Sequence, residues 1–468
     1  MSPTLTAPVL RDAVAAPTEA RHLARFALAL SLDDVPPALI RLAKEHLLDV
    51  IGIALASSRF DFGAAILKGA SELGTGGQAS AIGSGAALPP ASAALVNGVL
   101  AHGLDFDDTH VGAIYHASAP AMAAVLASGQ ASRASGEEVL TAFIAALEIG
   151  CRLATVGAGK LHDRSFHPTS LFGTFAAAAA AGRLTRTAEE QLVWALGICG
   201  SQAAGILERG NSWLKRLHPG WAAHAGLSAV SLARGGFIGP DTVFEGRRGF
   251  YFAHTGEIPH GEALPSHRLG REWQAMGIAL KPYPCCHFIH AFVDAALELR
   301  GKFALPDIAA IECPLTPSLH KMVAEPRERV IRPETIYSAQ FSVPYVVALA
   351  LVTGRVDLAS FHDDPLDDPA VLRIAALAEC TPDPLSDYPK HFPGEVIVTL
   401  KDGRVLRSRK PASLGTPDVP LTAAAVEAKF RANATRAVSA ETATAIIEAV
   451  NGLEREASLD RLMQLCTA

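Results

Sequence analysis

The sequence predicts a mainly α protein: a large all-helical domain, and a smaller α+β domain inserted before the C-terminal helices. Three observations carry this expectation. From residue 36 to about 270, Ala/Leu-rich segments recur with helical spacing, parted by Gly, Pro and His clusters rather than by strand-like alternation. After about residue 270, short β-branched runs and a turn signal appear. From Thr422 onward helical patterns return. The expected boundaries are 1–20 for a loose leader, 21–270 with 415–468 for the helical domain, and 271–414 for the α+β unit.

The elements follow in order. Residues 1–20 have neither a basic start nor an apolar stretch, so they do not read as a signal peptide. A helix is expected over 36–57, with Asp34 as its cap, prolines in its first turn, and Ile40, Ala43, Leu47, Val50 and Ala54 along one face. Further helices are expected over 90–103, 117–133, 136–156, 168–184, 188–206 and 220–234. In the second part, 308–313 reads as a strand. Segments 395–400 and 404–409 read as a hairpin joined by Asp402-Gly403 in a type I′ turn. Helices are expected over 335–352 and 369–378.

Bulk properties narrow the function. The chain has 468 residues, 49% hydrophobic and 19% charged, which is enough apolar material for more than one core. A net charge of -6 with interspersed signs offers no general attraction to nucleic acid or an anionic membrane, so neither is expected as a partner. Seven cysteines without a CxxC pair suit a reducing compartment, hence a cytoplasmic setting. Gly74 to Ser80 is glycine-rich but lacks the lysine and strand-to-helix context of a phosphate loop, so no nucleotide cofactor is expected.

Four segments could carry chemistry. HGLDFDDTH, His102 to His110, places Asp105, Asp107 and Asp108 beside Thr109 at the end of a predicted helix, where negative charge is disfavoured, and His116 follows. A divalent-metal site is the rival reading there. The spacing matches no strong metal motif, so none is expected. SFHPTS sets His167 before Pro168, LKRLH gathers Lys215, Arg216 and His218, and LKPYPCCH brings Lys281, Tyr283, Cys286 and His287. Cys285 and Cys286 read as small buried hydrophobes rather than nucleophiles. YSAQFSVPY, with Gln340, could line a pocket or simply start a core helix. Each of the four histidine loops delivers a cation or imidazole to a predicted helix N-terminus, which already favours anions. Converged on one cleft they would hold a polycarboxylate.

HGLDFDDTH with its following histidine, SFHPTS followed by FGTFAAAAAAG, LKRLH, KPYPCC and AQFSVPY together resemble the MmgE/PrpD family, over residues from about 24 to 455. The resemblance implies a homodimer, an α+β domain serving as a lid, and a cofactor-independent lyase acting on a small di- or tricarboxylate. The expected reaction is of 2-methylcitrate-dehydratase type, with cis-aconitate decarboxylation or iminodisuccinate-type epimerisation as alternatives. By motif it assigns catalytic positions to Asp105, Thr109, His116, His167, Lys215 and Lys281. Arg216, His218, Tyr283, Cys286 and Gln340 are the candidate substrate contacts. Relative to the animal decarboxylases, the stretch from Thr109 to His116 is one residue longer, and Cys286 stands where they have a histidine.

Overall fold

The computed structural model describes residues 17–208, 212–388 and 390–467. Its helices start where the chain supplies a suitable first turn. Pro37–Ser57, Pro90–His102 and Pro168–Leu184 open on prolines, whose missing N–H would be unpaired there anyway. Gly136–Val156 opens on a capping box made by Ser135 and Glu138. Asp34 does not cap Pro37–Ser57: its carboxylate accepts from the Ser31 N–H at 3.2 Å and closes the short turn Leu32–Asp34 instead. Most of the expected leader lies outside the described residues. Its last two positions, Glu19 and Ala20, belong to Glu19–Ala29, which Thr18 caps. Asp61–Leu73 is a further helix that the hydrophobic pattern did not announce.

Close helix packing shapes the region that matters for function. Pro90–His102 runs antiparallel to Leu214–Arg234, and the two cross where Gly98 meets Gly220. A Cβ on Gly98 would lie 2.6 Å from Gly220 Cα, so only the paired glycines allow this approach. Leu214–Arg234 also begins six residues before the expected Gly220. Pro219 removes a single backbone bond inside the helix, and Arg216 docks by donating from Nε to the Gly103 carbonyl at 2.7 Å. Glu189–Gln202 ends four residues before the expected 206. Gly136–Val156 is long and apolar enough to cross a bilayer, yet 89% of its apolar window is buried inside the protein.

Two apolar cores are present among the described residues. The first gathers side chains from Ala20 to Ile278, takes in Leu358, and is completed by Phe430 to Cys466 from the C-terminal helices. The second draws on residues between Cys285 and Leu400. In it a four-stranded sheet has the order Ala378–Pro382, Ile308–Leu315, Gly394–Leu400, Val405–Lys410, with the first pair parallel and the others antiparallel. His290–Leu299 packs on this sheet and on Val343–Thr353. The fold is mainly helical with few, small sheets.

Local chemistry moves three expected boundaries. The helix expected over 335–352 breaks into Ile336–Gln340 and Val343–Thr353, because Pro344 cannot donate and Ser342 caps the second piece through the Tyr345 N–H at 3.0 Å. Pro369–Ala375 stops early, and Ala378 begins a strand. At the hairpin only Gly403 has positive φ, +87°, so the turn is not type I′. The Gly403 N–H bonds to the Leu400 carbonyl and the Leu400 N–H to the Arg404 carbonyl, the pattern of a three-residue loop ending in a left-handed glycine.

A two-residue ribbon joins the parts. Thr109 pairs with Ala279 and His110 with Ile278, antiparallel. The Leu280 N–H then donates to the Gly415 carbonyl at 2.9 Å. Lys281 is thereby delivered beside the segment that follows His102.

Candidate active site

The centre of the site is Asp105, just past the end of Pro90–His102, held at φ +52°, a left-handed conformation that aspartate tolerates better than most residues. Two ammonium groups converge on it. Lys215 forms a short ion pair with its carboxylate. Lys281 donates to its backbone carbonyl at 2.9 Å and lies 3.4 Å from Oδ1. Burial pushes the Asp105 carboxyl up, but the two lysines overcome that and hold it well below the usual carboxylate range. It is therefore a fixed negative charge between two positive ones.

The other two acids of the segment are spoken for. Asp107 takes the Nδ1–H of His102 at 2.8 Å, and Asp108 lies 2.6 Å from His46 Nδ1 while also accepting from the Ser118 N–H at 3.1 Å and from its hydroxyl. Burial raises Asp107 to about 6 against the pull of His116. Beneath them Lys429, from Ala423–Ala434, pairs with Asp49 at 2.7 Å, donates to the Phe106 carbonyl at 2.8 Å and sits over the Phe106 ring. Each acid that conflicts with the helix C-terminus gains a buried partner, Asp107 from His102 at the helix end and Asp105 and Asp108 from distant elements.

The histidines are arranged by their Nδ1 atoms. His116 places Nδ1 2.7 Å from the Asp108 carbonyl, which can only accept, so Nδ1 carries the proton and Nε2 keeps a lone pair. Thr109 Oγ1 is 3.3 Å from the same Nδ1. His167 and His218 face each other through their Nδ1 atoms at 2.8 Å, one donating to the other. Burial lowers His116 to about 3. Burial, followed by His218 and Lys215, takes His167 well below the usual histidine range. The rings of His102, His116 and His167 lie together, with centroids 4.7 to 5.9 Å apart.

A cavity opens on this cluster. Asp105, Thr109, His116, His167, Lys215 and Lys281 all line it, together with Cys286. Burial, then the Asp105 charge, pushes the Cys286 thiol up to about 11, which leaves it protonated at neutral pH. The opposite wall is apolar and comes largely from the second core, through Phe288, Met322, Phe341 and Phe392. His162 and His287 also face the cavity.

Four expected substrate contacts stand outside the lining. Arg216 binds the Gly103 carbonyl and lies over the Phe62 ring, because the nearby helix end offers unpaired carbonyls. Tyr283 donates its hydroxyl to Asp294 at 2.7 Å. Gln340 donates to the Pro284 carbonyl at 2.8 Å and to that of Leu104 at 3.3 Å, tying the two sides of the cleft together. His218 stands behind His167 and acts on the cavity only through it.

Sequence reasoning missed the pairs His102–Asp107, His46–Asp108 and Lys429–Asp49. The i to i+5 proximity of His102 and Asp107 was the one signal available; the others join residues far apart in the chain. Among the described residues, His102, His116 and His167 also form the one group whose ligand atoms, all within 4.8 Å of one another, could hold a metal ion.

The fold and site together are those of a mainly helical protein that holds a buried aspartate between two lysines, with imidazoles gathered around a cavity. The chain is a member of the MmgE/PrpD family: the family's N-terminal domain matches residues 21–260 and its C-terminal domain residues 283–455. It is 31% identical to the cis-aconitate decarboxylase of Homo sapiens, over 78% of this chain and 77% of that protein. It is 28% identical to a cis-aconitate decarboxylase-like protein of Aspergillus oryzae over 95% and 96% of the two chains. With the cis-aconitate decarboxylase of Aspergillus terreus it shares 27% identity over 95% of each.

Proposed function

We propose that the protein is a lyase that moves a proton on a small di- or tricarboxylate using only its own side chains. The observation that carries this reading is the geometry of His116: its Nδ1–H is committed to the Asp108 carbonyl, leaving Nε2 to face a cavity that Lys215 and Lys281 make attractive to carboxylates. In the resting site His116 is a weak base. Burial depresses it most and the lysine charges add to that; a bound carboxylate offsets the lysine part, so substrate itself raises the imidazole's affinity for a proton.

Deprotonation next to a carboxylate piles charge onto that group, and fixed ammonium ions in a water-poor cleft stabilise it. Asp105 keeps the two lysines in place before substrate arrives. His167, backed by His218, supplies a second imidazole for the returning proton. In dehydration the base takes the Cα proton and hydroxide leaves with a proton from the acid. In decarboxylation the bond to the departing carboxylate breaks, its electron pair shifts across the double bond, and the far carbon takes a proton from an imidazolium. The names of the similar proteins favour the decarboxylase reading, and dehydration of a 2-methylcitrate-like acid is the second. A homodimer in the cytoplasm belongs to the same proposal.

The test is to incubate the protein with cis-aconitate, 2-methylcitrate and iminodisuccinate in deuterated water and weigh the products. Loss of carbon dioxide, loss of water or deuterium exchange alone separates the three reactions. His167→Ala and Lys281→Ala should both lose turnover while folded; full activity in both would remove the site from the mechanism.

A further inference from the structure

The imidazole cluster has an arrangement that proton transfer alone does not require. His102, His116 and His167 come from three separate stretches of chain and are all buried. Each has its Nδ1 engaged from behind: His102 by the Asp107 carboxylate, His116 by the Asp108 carbonyl, and His167 by His218, an arrangement that leaves His167 Nε2 a lone pair in the tautomer where His167 is the donor. That is how proteins orient metal-ligating imidazoles, with the outer partner fixing the tautomer and turning Nε2 inward. His102 Nε2, which keeps a lone pair when Nδ1 donates to Asp107, is buried without a hydrogen-bond partner.

We propose that this trio is a binding site for a divalent transition-metal ion of the zinc type, held by the three inward-facing ring nitrogens with a fourth position open to the cavity. The ligand atoms lie within 4.8 Å of one another. Tetrahedral zinc–imidazole bonds of about 2.0–2.1 Å place nitrogens roughly 3.4 Å apart, so the widest pair closes by at most about 1.4 Å. Neutral imidazole, with one ring nitrogen unprotonated, is the form that binds metal. Lys215 and Lys281 oppose a cation here, and Asp105 and Asp107 offset them.

Such an ion would occupy the lone pairs of His116 and His167. Inhibition of turnover is then the consequence, and that part rests on the acid–base reading above; binding of the ion does not.

The full chain, stripped with a chelator, is titrated with zinc by calorimetry and with cobalt(II) by visible absorption, where tetrahedral coordination gives strong ligand-field bands. One ion per chain is expected, with affinity lost in His102→Ala and His116→Ala and reduced about 10- to 100-fold in Asp107→Asn, which removes only the outer partner. Circular dichroism shows which variants remain folded, and the cobalt spectrum of the unaltered protein decides the matter if none does. Absence of a ligand-field band and of zinc binding, or binding unchanged in every folded variant, would overturn the site. Tight binding without loss of turnover would leave the site standing and instead remove His116 from catalysis.

Discussion

Asp105 is ionised in the fold because Lys215 and Lys281 both press on it, and the three charges are stable only as a set. Removing the anion strands two buried ammonium groups, a change that typically costs about 3–5 kcal/mol when a buried pair is broken from one side. Asp105→Asn is therefore expected to lower the midpoint of urea unfolding markedly while abolishing turnover; an unchanged midpoint would mean that the lysines find other partners. His116 should behave differently. Its ring is held mainly by one hydrogen bond to a carbonyl, so His116→Ala should fold and lose about 10²- to 10⁴-fold in kcat, the usual share of a general base. Steady-state kinetics on whichever acid proves to be the substrate checks this.

Among the elements, the two-residue ribbon and the loop that buttresses it control where Lys281 points. Gly415 has φ +92°, and a Cβ there would lie 1.9 Å from the Leu280 carbonyl oxygen, adjacent to Lys281. Gly415→Ala must push the Leu280–Lys281 backbone away. A displacement near 1 Å at a reacting group costs about 10²-fold in rate, so kcat should fall by that order while the protein remains folded. Retained kcat would mean that the Lys281 position is set elsewhere. The C-terminal helix Ala423–Ala434 holds the site from below in the same sense. Lys429→Met should destabilise the chain by leaving Asp49 buried and unpaired, and thermal unfolding should shift downward.

The whole molecule carries an unusual load of buried imidazole. His102, His110, His116, His167, His287, His290 and His362 all have their pKa lowered, chiefly by burial, with His110 and His362 at about 4 and His116 and His287 at about 3. Below the ordinary value of 6.5 the unfolded chain takes up protons that the folded chain refuses, so stability falls as pH drops from 6.5 toward the folded values. Asp49 and Asp107, raised by burial from 3.8 to about 6, act the other way: across that interval the folded chain holds protons the unfolded chain has released. Burial also raises Glu45, Glu148, Glu245 and Asp294, so seven imidazoles stand against six carboxyls, and the imidazoles, with the higher ordinary value, act first as pH falls. The denaturation midpoint is expected to fall steadily from pH 7 to pH 4.5, and a flat or rising profile would show that these rings are solvated in the fold.

The sequence by itself determined the helical character, the change of texture near residue 270, and the chemistry-bearing segments, because helical spacing, proline placement and turn residues act through neighbours only a few positions away. It also marked Asp105, Thr109, His116, His167, Lys215 and Lys281, whose motifs are local and distinctive. Tertiary structure alone decided that Arg216, Tyr283 and Gln340 fasten backbone and side chains outside the cavity, and that His102, Asp107 and Lys429 support its floor. Those outcomes turn on which buried polar group meets which partner. A carboxylate or ammonium taken out of water must be paired, and the partner is chosen by how distant helices pack, a relation that no stretch of neighbouring residues encodes.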